Sequence, residues 1–485
     1  MRDVDVAIIG AGSAGLSAQR EVARKTDSYV VIDEGPLGTT CARVGCMPSK
    51  ALIQAANDFH RRTVFEGEGI RGSDGLTVDG AAVMRHVRDL RDYFVGSVLD
   101  RMERWRADHL VEGRARFVDP HTLDVDGTTI RARRIVLATG SRPVVPEAWK
   151  SHEQWLLDTD GIFELDALPR RMAVVGLGVI GLELGQALGR LGVEVVGLSM
   201  DKSLGGLTDP TVQDYAAETI AAEIETGFGK ADIAGPEGDG IAVTLDDGRR
   251  WIVDRVLLAL GRRPAFDGLG LDAIGLLDGD GNMPDIDPST LRAKGSDIYV
   301  AGDATGARKL LHEAADEGAI AGYNAVAGDD HRFTRRMAMA VTFSDPEIAM
   351  IGETHRQLTD RGADFVTGAV LFDRQGRATI MQRARGMVHV YADRTSGTIL
   401  GTEMIAPGAE HFAQFFSLAI TMELTVQDIL KQPFYHPVLE EGLRTAFRDA
   451  ASKSAVPADG IELLRCEEPP VGGSMDAAVT SGSRA

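Results

Sequence analysis

The N-terminal stretch VDVAIIGAGSAG, residues 4–15, decides the fold of this chain. The apolar run before Gly10 is typical of a buried β-strand, and the residues after Gly15 have the spacing of an amphipathic helix. Gly10, Gly12 and Gly15 form a G-x-G-x-x-G turn, in which glycines let the backbone approach a pyrophosphate at a helix N-terminus. The next strand ends at Asp33, whose carboxylate can accept a hydrogen bond from a ribose hydroxyl. The stretch therefore predicts a Rossmann-like dinucleotide-binding unit.

A second copy of this pattern lies at residues 172–181, MAVVGLGVIG, with its glycines at Gly176, Gly178 and Gly181. The strand that follows it ends at Ser199, so neither the acid typical of an NAD site nor the arginine typical of an NADP site stands there. We expect a second nucleotide to bind at this copy, and its identity stays open between NAD and NADP.

Each copy is followed by a second shared pattern, a hairpin turn and an apolar strand that ends in glycine. The dipeptide Asp-Gly at 126–127 precedes Gly140, and Asp-Gly at 247–248 precedes Gly261. Asp-Gly between alternating residues is a strong hairpin signal. The repeats predict an α/β fold with two parallel sheets, each with a small antiparallel excursion. The strands and helices after residue 340 predict a separate α+β domain.

The composition argues against several classes of partner. With 52 basic and 72 acidic residues the formal net charge is −20, which argues against nucleic acid or an anionic membrane as the main partner. No uninterrupted apolar run reaches the ~18 residues of a membrane span, and the first residues show no secretory signal pattern. Three cysteines in 485 residues suit a reducing compartment, so the sequence predicts a cytoplasmic protein.

The segment CARVGCMPSK, residues 41–50, contains two of the three cysteines. Cys41 and Cys46 can close a small disulfide if the backbone bends at Gly45. Because such a local bridge constrains little of the unfolded chain, it is better suited to reduction and reoxidation than to structural stabilisation. The alternatives are two buried free thiols or a metal site, but no second Cys/His pair supports a metal. Cys466 has no partner and is assigned no role.

Taken together, these motifs resemble those of the flavin-dependent pyridine nucleotide–disulfide oxidoreductases, and within that family the dihydrolipoamide dehydrogenases. The resemblance covers about residues 4–455. It rests on the two glycine motifs, on the C-x-x-x-x-C-x-P-S-K segment, and on ATGSRP (138–143), Glu183, GRRP (261–264), AGD (301–303) and FYHP (434–437) with Glu441. It implies FAD in the first unit, NAD(P) in the second and a C-terminal α+β dimerisation domain.

The resemblance also implies domain limits and cofactor-binding residues. The expected regions are a first FAD-binding part, an NAD(P)-binding domain, a second FAD-binding part, a dimerisation domain and a flexible tail, at residues 1–148, 149–268, 269–335, 336–455 and 456–485. FAD is expected to bind at Gly10, Gly12, Gly15, Asp33, Lys50, Ala115, Thr139, Gly140, Asp303 and Leu311. NAD(P) is expected to bind at Gly176, Gly178, Gly181, Ser199 and Gly261.

The resemblance further implies how the redox residues are arranged. Cys46 would lie beside the flavin, and Cys41 would be the thiol that exchanges with the substrate. Lys50 would pair with Glu183 near the reactive nitrogen of the flavin. By pattern alone, Lys50 and Glu183 are ordinary surface charges, so only the family places them together.

His436, followed by Pro437, matches the acid–base residue of the family. A lone histidine is more often a surface or capping residue than a catalyst. The chemistry needs a base, however, because a thiol with a pKa of about 8.5 is mostly protonated, whereas an imidazole with a pKa of about 6.5 can take and return its proton. Glu441 matches the carboxylate that holds the other ring nitrogen, with Glu440 as the neighbouring alternative. In the family this pair comes from the partner subunit, which implies a homodimer.

The expected function is oxidation of a dithiol through Cys41 and Cys46 with hydride transfer to NAD, as in a dihydrolipoamide dehydrogenase. The dithiol would be a small molecule or one attached to a lipoyl carrier protein. The alternatives are a glutathione-reductase-like enzyme, an NAD(P)H–quinone reductase, which would not need the cysteines, and a scaffold flavoprotein. A mercuric reductase is disfavoured because the tail lacks a cysteine pair. The chain departs from dihydrolipoamide dehydrogenases at Thr39, where glycine is usual, and around Tyr435, where that group carries a further histidine.

Overall fold

The computed structural model describes residues 1–277, 283, 285–457 and 461–463. Within these residues the strands form five sheets, which belong to two nucleotide-binding units and a C-terminal region. Most of the predicted tail, 456–485, and Cys466 with it, lie outside the described residues. Of the helices described, none offers the length of apolar residues that a bilayer span requires.

The first nucleotide-binding unit is built on a seven-stranded sheet. Its strands are β1 (Arg2–Ile9), β2 (Tyr29–Asp33), β3 (Leu110–Glu112), β4 (Ala115–Asp119), β5 (Thr122–Val125), β6 (Thr128–Leu137) and β17 (Ile298–Val300). Ile9 of β1 lies level with Ile32 of β2 and Leu137 of β6 in parallel register, so the carboxyl ends of these strands meet at one edge. β5 returns to β6 through the predicted Asp126–Gly127 hairpin, in which both residues have positive φ, 45° and 89°.

On each of the two parallel sheets the described α-helices pack against one face, and other α-helices cover the C-terminal sheet. They are α1 (Ser13–Ala23), α2 (Thr40–Val44), α3 (Cys46–His60), α4 (Gly80–His109), α5 (Val179–Arg190), α6 (Pro210–Ala221), α7 (Leu311–Val326), α8 (His355–Asp360), α9 (Gly376–Ile380), α10 (Ala409–Thr421), α11 (Val426–Leu430) and α12 (Glu441–Lys453). The expected helices after the two glycine turns are confirmed as α1 and α5. The 30-residue helix α4 was not among the sequence predictions.

Helices α1 and α7 pack with their backbones in direct contact. A Cβ atom on Gly318 of α7 would overlap the carbonyl oxygen of Ala14, and one on Gly322 would overlap that of Ala18. Only glycine allows two helices to approach this closely. The contact fixes α7, whose N-terminus follows the Gly302–Asp303 turn, against the helix that starts at the first glycine motif.

The second nucleotide-binding unit repeats the first, as predicted. Its parallel sheet has the strand order β11-β10-β9-β15-β8. These strands are β8 (Leu156–Asp158), β9 (Arg171–Val175), β10 (Glu194–Ser199), β11 (Glu225–Phe228) and β15 (Arg255–Leu258). The antiparallel excursion is a separate sheet of β12 (Ala231–Glu237), β13 (Gly240–Leu245) and β14 (Arg250–Val253). A two-stranded ribbon, β7 (Ser141–Pro143) with β16 (Arg262–Pro264), connects the two units.

The C-terminal region is an antiparallel sheet covered by helices, in agreement with the predicted α+β domain. Its strands, in the order β18-β19-β22-β21-β20, are β18 (Met339–Thr342), β19 (Glu347–Gly352), β20 (Phe365–Leu371), β21 (Met387–Asp393) and β22 (Ile399–Ala406). Phe412 and Phe416 of α10 and Phe447 of α12 are buried with Phe372 in its core. The domain limits at residues 148, 268, 335 and 455 stay predictions.

The α1–α7 contact yields a test of the first unit. Substitution Gly318→Ala should lower the free energy of unfolding by about 1–3 kcal/mol, because the added methyl group has no space against Ala14. Gly328→Ala is the control, since a Cβ atom there would enter open space. Thermal unfolding measures both, and equal melting temperatures for the two variants would contradict the contact.

Candidate active site

A cleft opens at the carboxyl edge of the first sheet. Its lining includes six of the residues expected to bind FAD: Gly10, Gly12, Asp33, Ala115, Thr139 and Gly140. Gly10 has a φ of 107°, and a Cβ atom on Gly12 would enter open space. The Thr139 hydroxyl is buried without a hydrogen-bond partner among the described residues. An open glycine turn at a helix N-terminus and an unpaired buried hydroxyl fit a bound dinucleotide.

Two aspartates lie at or beside this cleft. Asp33 accepts backbone hydrogen bonds from Ala11 at 2.6 Å and from Gly35 at 2.7 Å, which fixes the carboxylate at the end of β2. Each of its oxygens keeps a second lone pair for a ribose hydroxyl. Asp303 accepts from the Ser141 hydroxyl at 2.6 Å, and Ser141 lines the cleft.

The remaining residues expected at FAD are placed around α1, α3 and α7. Gly15 lies inside α1, where a Cβ atom would overlap the carbonyl oxygen of Gly10. Leu311 is the first residue of α7, and its side chain is exposed. Lys50, in α3, contacts Glu183 and is described with the cysteines below. Gly15, Lys50, Asp303 and Leu311 do not belong to the lining of the cleft. FAD binding by these four residues and by the six that line the cleft stays a prediction.

The second glycine motif has the same backbone geometry as the first. Gly176 has a φ of 98°, Gly178 faces open space, and a Cβ atom on Gly181 would overlap the carbonyl oxygen of Gly176. Ser199 ends β10 and is followed by Met200, and Gly261, with a φ of 92°, follows β15, which lies between β9 and β8 in the sheet. The turn therefore fits a pyrophosphate, whereas Ser199 is neither the acid typical of an NAD site nor the arginine typical of an NADP site.

The two cysteines lie on either side of a break between helices. Cys41 is in the first turn of α2, Cys46 is the first residue of α3, and Gly45 separates them with a Cβ position only 3.1 Å from the carbonyl oxygen of Thr40. Both cysteines are free thiols in the structure, Cys46 exposed and Cys41 partly buried. In the described part of the chain, no three His, Cys, Asp or Glu side chains converge on a possible metal site.

The two thiols differ in acidity because one donates a hydrogen bond to the other. The hydrogen bond from Cys41, together with the charge of Lys50, lowers the pKa of Cys46 to about 7 against the opposing effect of partial desolvation. The same hydrogen bond, with burial, raises the pKa of Cys41 above its ordinary value. In the reduced protein the negative charge therefore rests on Cys46, next to the ammonium group of Lys50.

Lys50 and Glu183 form an ion pair, although their sequence pattern alone indicated surface charges. Lys50 Nζ lies 2.7 Å from Glu183 Oε2, and the Glu183 side chain is only 4% exposed. Glu183 Oε1 accepts a hydrogen bond from the backbone N–H of Phe343 at 2.9 Å, and Lys50 Nζ lies 4.4 Å from the centre of the Phe343 ring. Phe343 was missed by the sequence analysis, because nothing in its local pattern connects it with residues that lie far away in the chain.

His436 and Glu441 also lie together, at the start of α12. His436 Nδ1 is 3.0 and 3.1 Å from the two carboxylate oxygens of Glu441. Because a carboxylate only accepts, Nδ1–H donates, and this hydrogen bond lowers the pKa of Glu441. The His436 side chain is 80% exposed, and within the described residues its ring bonds neither Glu440 nor the cysteines of its own chain.

Thr39 adopts a backbone conformation that favours glycine, with a φ of 64°. Its hydroxyl accepts from the backbone N–H of Ala42 at 3.2 Å and so caps α2, the helix of Cys41. The neighbouring Gly38 has a φ of 118°, and a Cβ atom there would lie 2.8 Å from Val95 of α4. Threonine therefore adopts at this position a conformation that glycine adopts freely, at a cost in local strain.

The acidity of the thiols can be tested directly. In the anaerobically reduced protein, iodoacetamide should modify Cys46 with a pH midpoint of about 7. Substitution Cys41→Ala should raise this midpoint by about one pH unit or more, since a hydrogen bond to a charged group contributes about 1.5–3 kcal/mol. Peptide mass spectrometry identifies the modified residue. An unchanged midpoint in Cys41→Ala would rule out the hydrogen bond as the cause.

Comparison with known proteins reveals related chains over nearly the whole length. The crystal structure of LpdA from Mycobacterium tuberculosis, 25% identical, has a TM-score of 0.79 and covers 92% of this chain and 99% of that chain. The dihydrolipoyl dehydrogenase of Halobacterium salinarum is 31% identical over 92% of this chain and 96% of its own length. The mercuric reductase of Lysinibacillus sphaericus is 30% identical over 91% of this chain and 82% of its own length. Similarity to both enzymes leaves the substrate to be argued from the site.

Two family models match successive parts of the chain. Residues 4–318 match the model described as pyridine nucleotide-disulphide oxidoreductase, and residues 338–447 match the dimerisation domain of the same family. The family uses FAD and NAD(P), which are the predicted cofactors, and the dimerisation domain supports the predicted homodimer. The chain belongs to the pyridine nucleotide-disulphide oxidoreductases.

Proposed function

We propose that this enzyme oxidises a dithiol, in the manner of a dihydrolipoamide dehydrogenase, through Cys41 and Cys46. The observation that carries the proposal is the exposed pair of His436 and Glu441. Glu441 holds Nδ1–H, so Nε2 is left as the basic nitrogen that can take a proton from a substrate thiol. Such a base serves dithiol chemistry, because a neutral thiol is a poor nucleophile. A quinone reductase would need neither this base nor the cysteines.

The reaction begins with the Cys41–Cys46 disulfide. The base removes a proton from the first substrate thiol, and the resulting thiolate attacks Cys41 Sγ, which releases Cys46 as a thiolate. The second substrate thiol then attacks the substrate sulfur of the mixed disulfide, its proton passes to the Cys41 sulfur that leaves, and the substrate becomes a disulfide. Two electrons thus pass from the dithiol to the cysteine pair. Bound FAD and nicotinamide supply the two-electron chemistry that returns the pair to its oxidised form.

The charges around Cys46 support its role as the thiolate that is released in this reaction. Lys50 stabilises the thiolate on Cys46, the cysteine with the lowered pKa. Glu183 fixes Lys50 at 2.7 Å and is itself buried, so this positive charge cannot be displaced easily by solvent. We assign Cys46 to the flavin side and Cys41 to the substrate side, with FAD held by the cleft residues and by Lys50, Asp303 and Leu311.

A base for Cys41 would come from the second subunit of the dimer. His436 is 80% exposed, and no hydrogen bond within the described residues connects it with the cysteines of its own chain. In a homodimer, the His436–Glu441 pair of one copy would serve the cysteines of the other. The substrate site would then lie between subunits and would be incomplete in a monomer.

A second candidate function is mercuric ion reduction, which is favoured by the similarity to a mercuric reductase. Its weakness is the cysteine content, since only Cys466 lies beyond Cys41 and Cys46 in the chain. The dithiol proposal uses Lys50, Glu183, His436 and Glu441 together with the two cysteines, and it needs no further thiol. Glutathione-disulfide reduction stays the alternative within disulfide chemistry.

Steady-state kinetics with matched substrates tests the proposal. Turnover should be compared at one enzyme concentration in both directions. Dihydrolipoamide is assayed with NAD or NADP. Lipoamide, glutathione disulfide, a quinone and Hg(II) are each assayed with NADH or NADPH. We expect turnover with the lipoamide pair to exceed all others. Strong reduction of glutathione disulfide or Hg(II) without lipoamide turnover would overturn the proposal. The rates with each nucleotide show whether the enzyme prefers NAD or NADP.

Variants of the His436–Glu441 pair supply a second test. His436→Gln should lower dithiol turnover by about 10²–10⁴-fold, the usual contribution of a general base. Glu441→Gln should lower it less, because the imidazole is kept but its tautomer and orientation are no longer fixed. Glu440→Gln is the matched control, since Glu440 does not bond the ring within the described residues. Equal losses of dithiol turnover in Glu440→Gln and Glu441→Gln would show that Glu441 is not the partner of His436.

A further inference from the structure

Three parts of the chain that are distant in sequence meet at the ammonium group of Lys50. Lys50 belongs to α3 of the first nucleotide-binding unit, and Glu183 belongs to α5 of the second. Phe343 follows β18 of the C-terminal region. The ammonium nitrogen lies 2.7 Å from the Glu183 carboxylate and 4.4 Å from the centre of the Phe343 ring. The charge is therefore held between a carboxylate and an aromatic face.

Phe343 also fixes the carboxylate that Lys50 binds. Its backbone N–H donates to Glu183 Oε1 at 2.9 Å, while Glu183 Oε2 accepts from Lys50. Both carboxylate oxygens are thus committed, and each faces one fixed partner. A carboxylate that is 4% exposed and bonded in this way has little freedom to rotate, so the direction of the Lys50 bond is fixed as well.

The segment that carries Phe343 is itself fastened to α5. Two residues further on, the backbone N–H of Asp345 donates to Gln186 Oε1 at 2.8 Å, and Gln186 Nε2 donates back to the Asp345 carbonyl at 2.9 Å. One turn later, Arg190 pairs with the Asp345 carboxylate at 3.0 Å. The ring of Phe343 is therefore carried by a backbone with several fixed contacts, as a positioning group requires.

Lys50 needs such positioning because its side chain is long and partly accessible. Four methylene groups give the ammonium many rotamers, and 33% of the side chain is exposed. The face of an aromatic ring attracts a cation, whereas an aliphatic side chain of similar size does not. Without the aromatic face, the Glu183 carboxylate alone would hold the ammonium, and the other side of the ammonium would be more open to solvent.

We propose that Phe343 is a positioning residue of the redox centre, which holds the Lys50 ammonium beside Cys46 through its ring and its backbone N–H. The inference rests on the proposed roles of Cys46 and Lys50 in thiol chemistry. Phe343 touches no reacting atom, and it acts only through Lys50 and Glu183. Through Phe343 the C-terminal region contributes to the redox centre of its own chain. Through His436 it would also supply a base to the partner subunit.

The test is a titration of the Cys46 thiolate in the full-length holoenzyme, reduced anaerobically with stoichiometric dithionite. The ultraviolet absorbance of the Cys46→Ser variant is subtracted from that of the protein with Cys46, and the difference reports this thiolate. Phe343→Leu, which keeps the N–H and the apolar bulk, should raise the midpoint from about 7 by about half a pH unit. Phe343→Tyr should restore the native midpoint, because it keeps the aromatic face. If Phe343→Leu does not fold, Phe343→Met takes its place.

A double-mutant cycle separates positioning from general destabilisation. Lys50→Met alone should raise the midpoint more than Phe343→Leu does, and adding Phe343→Leu to Lys50→Met should raise it no further. A native midpoint in Phe343→Leu, or an equal shift in the Lys50→Met background, would overturn the inference. Because the titration uses no dithiol substrate, absence of lipoamide turnover would refute the proposed function without altering this result.

Discussion

The ion pair between Lys50 and Glu183 is the constraint on which the rest of the site depends. A buried carboxylate is costly unless a positive group and hydrogen-bond donors satisfy it, and Glu183 obtains both from other parts of the chain. Since the pair joins α3 to α5, the helix of Cys46 and the helix of the second glycine motif cannot separate without exposing an unpaired charge. The nucleotide turn and the thiol pair are thereby held in one rigid arrangement.

Further buried polar networks secure the same arrangement from the C-terminal side. Asp209, at the start of α6, accepts from His389 at 2.7 Å and from Tyr391 at 2.9 Å, and this environment lowers its pKa to about 2. Glu403, fully buried in β22, accepts from the backbone and hydroxyl of Thr208. The loop after Ser199 is therefore anchored on the C-terminal sheet, and the nucleotide end of the site is as well supported as the thiol end.

Local patterns predicted most of the fold, whereas contacts between distant segments could not be read from them. The glycine turns, the Asp126–Gly127 hairpin and the break at Gly45 follow from short-range backbone requirements, and the structure has each of them. The family resemblance supplied the pairs of Lys50 with Glu183 and of His436 with Glu441. Neither the local patterns nor the family resemblance predicted the role of Phe343, because an aromatic residue at a strand end has no pattern that identifies its partner. Helix α4 lacked a sharp apolar stripe, and it buries few side chains.

Thr39 makes the shape of the redox segment depend on its surroundings. Its φ of 64° is one that a β-branched residue avoids, so the local backbone is held in place by contacts and not by its own preference. One of these contacts is with α4, whose Val95 closes the space beside Gly38. The face of α4 that carries Val95 takes no part in the chemistry, yet it limits the shape of the redox segment. We expect natural amino-acid substitutions to be rarer on that face of the helix than on its solvent-exposed face.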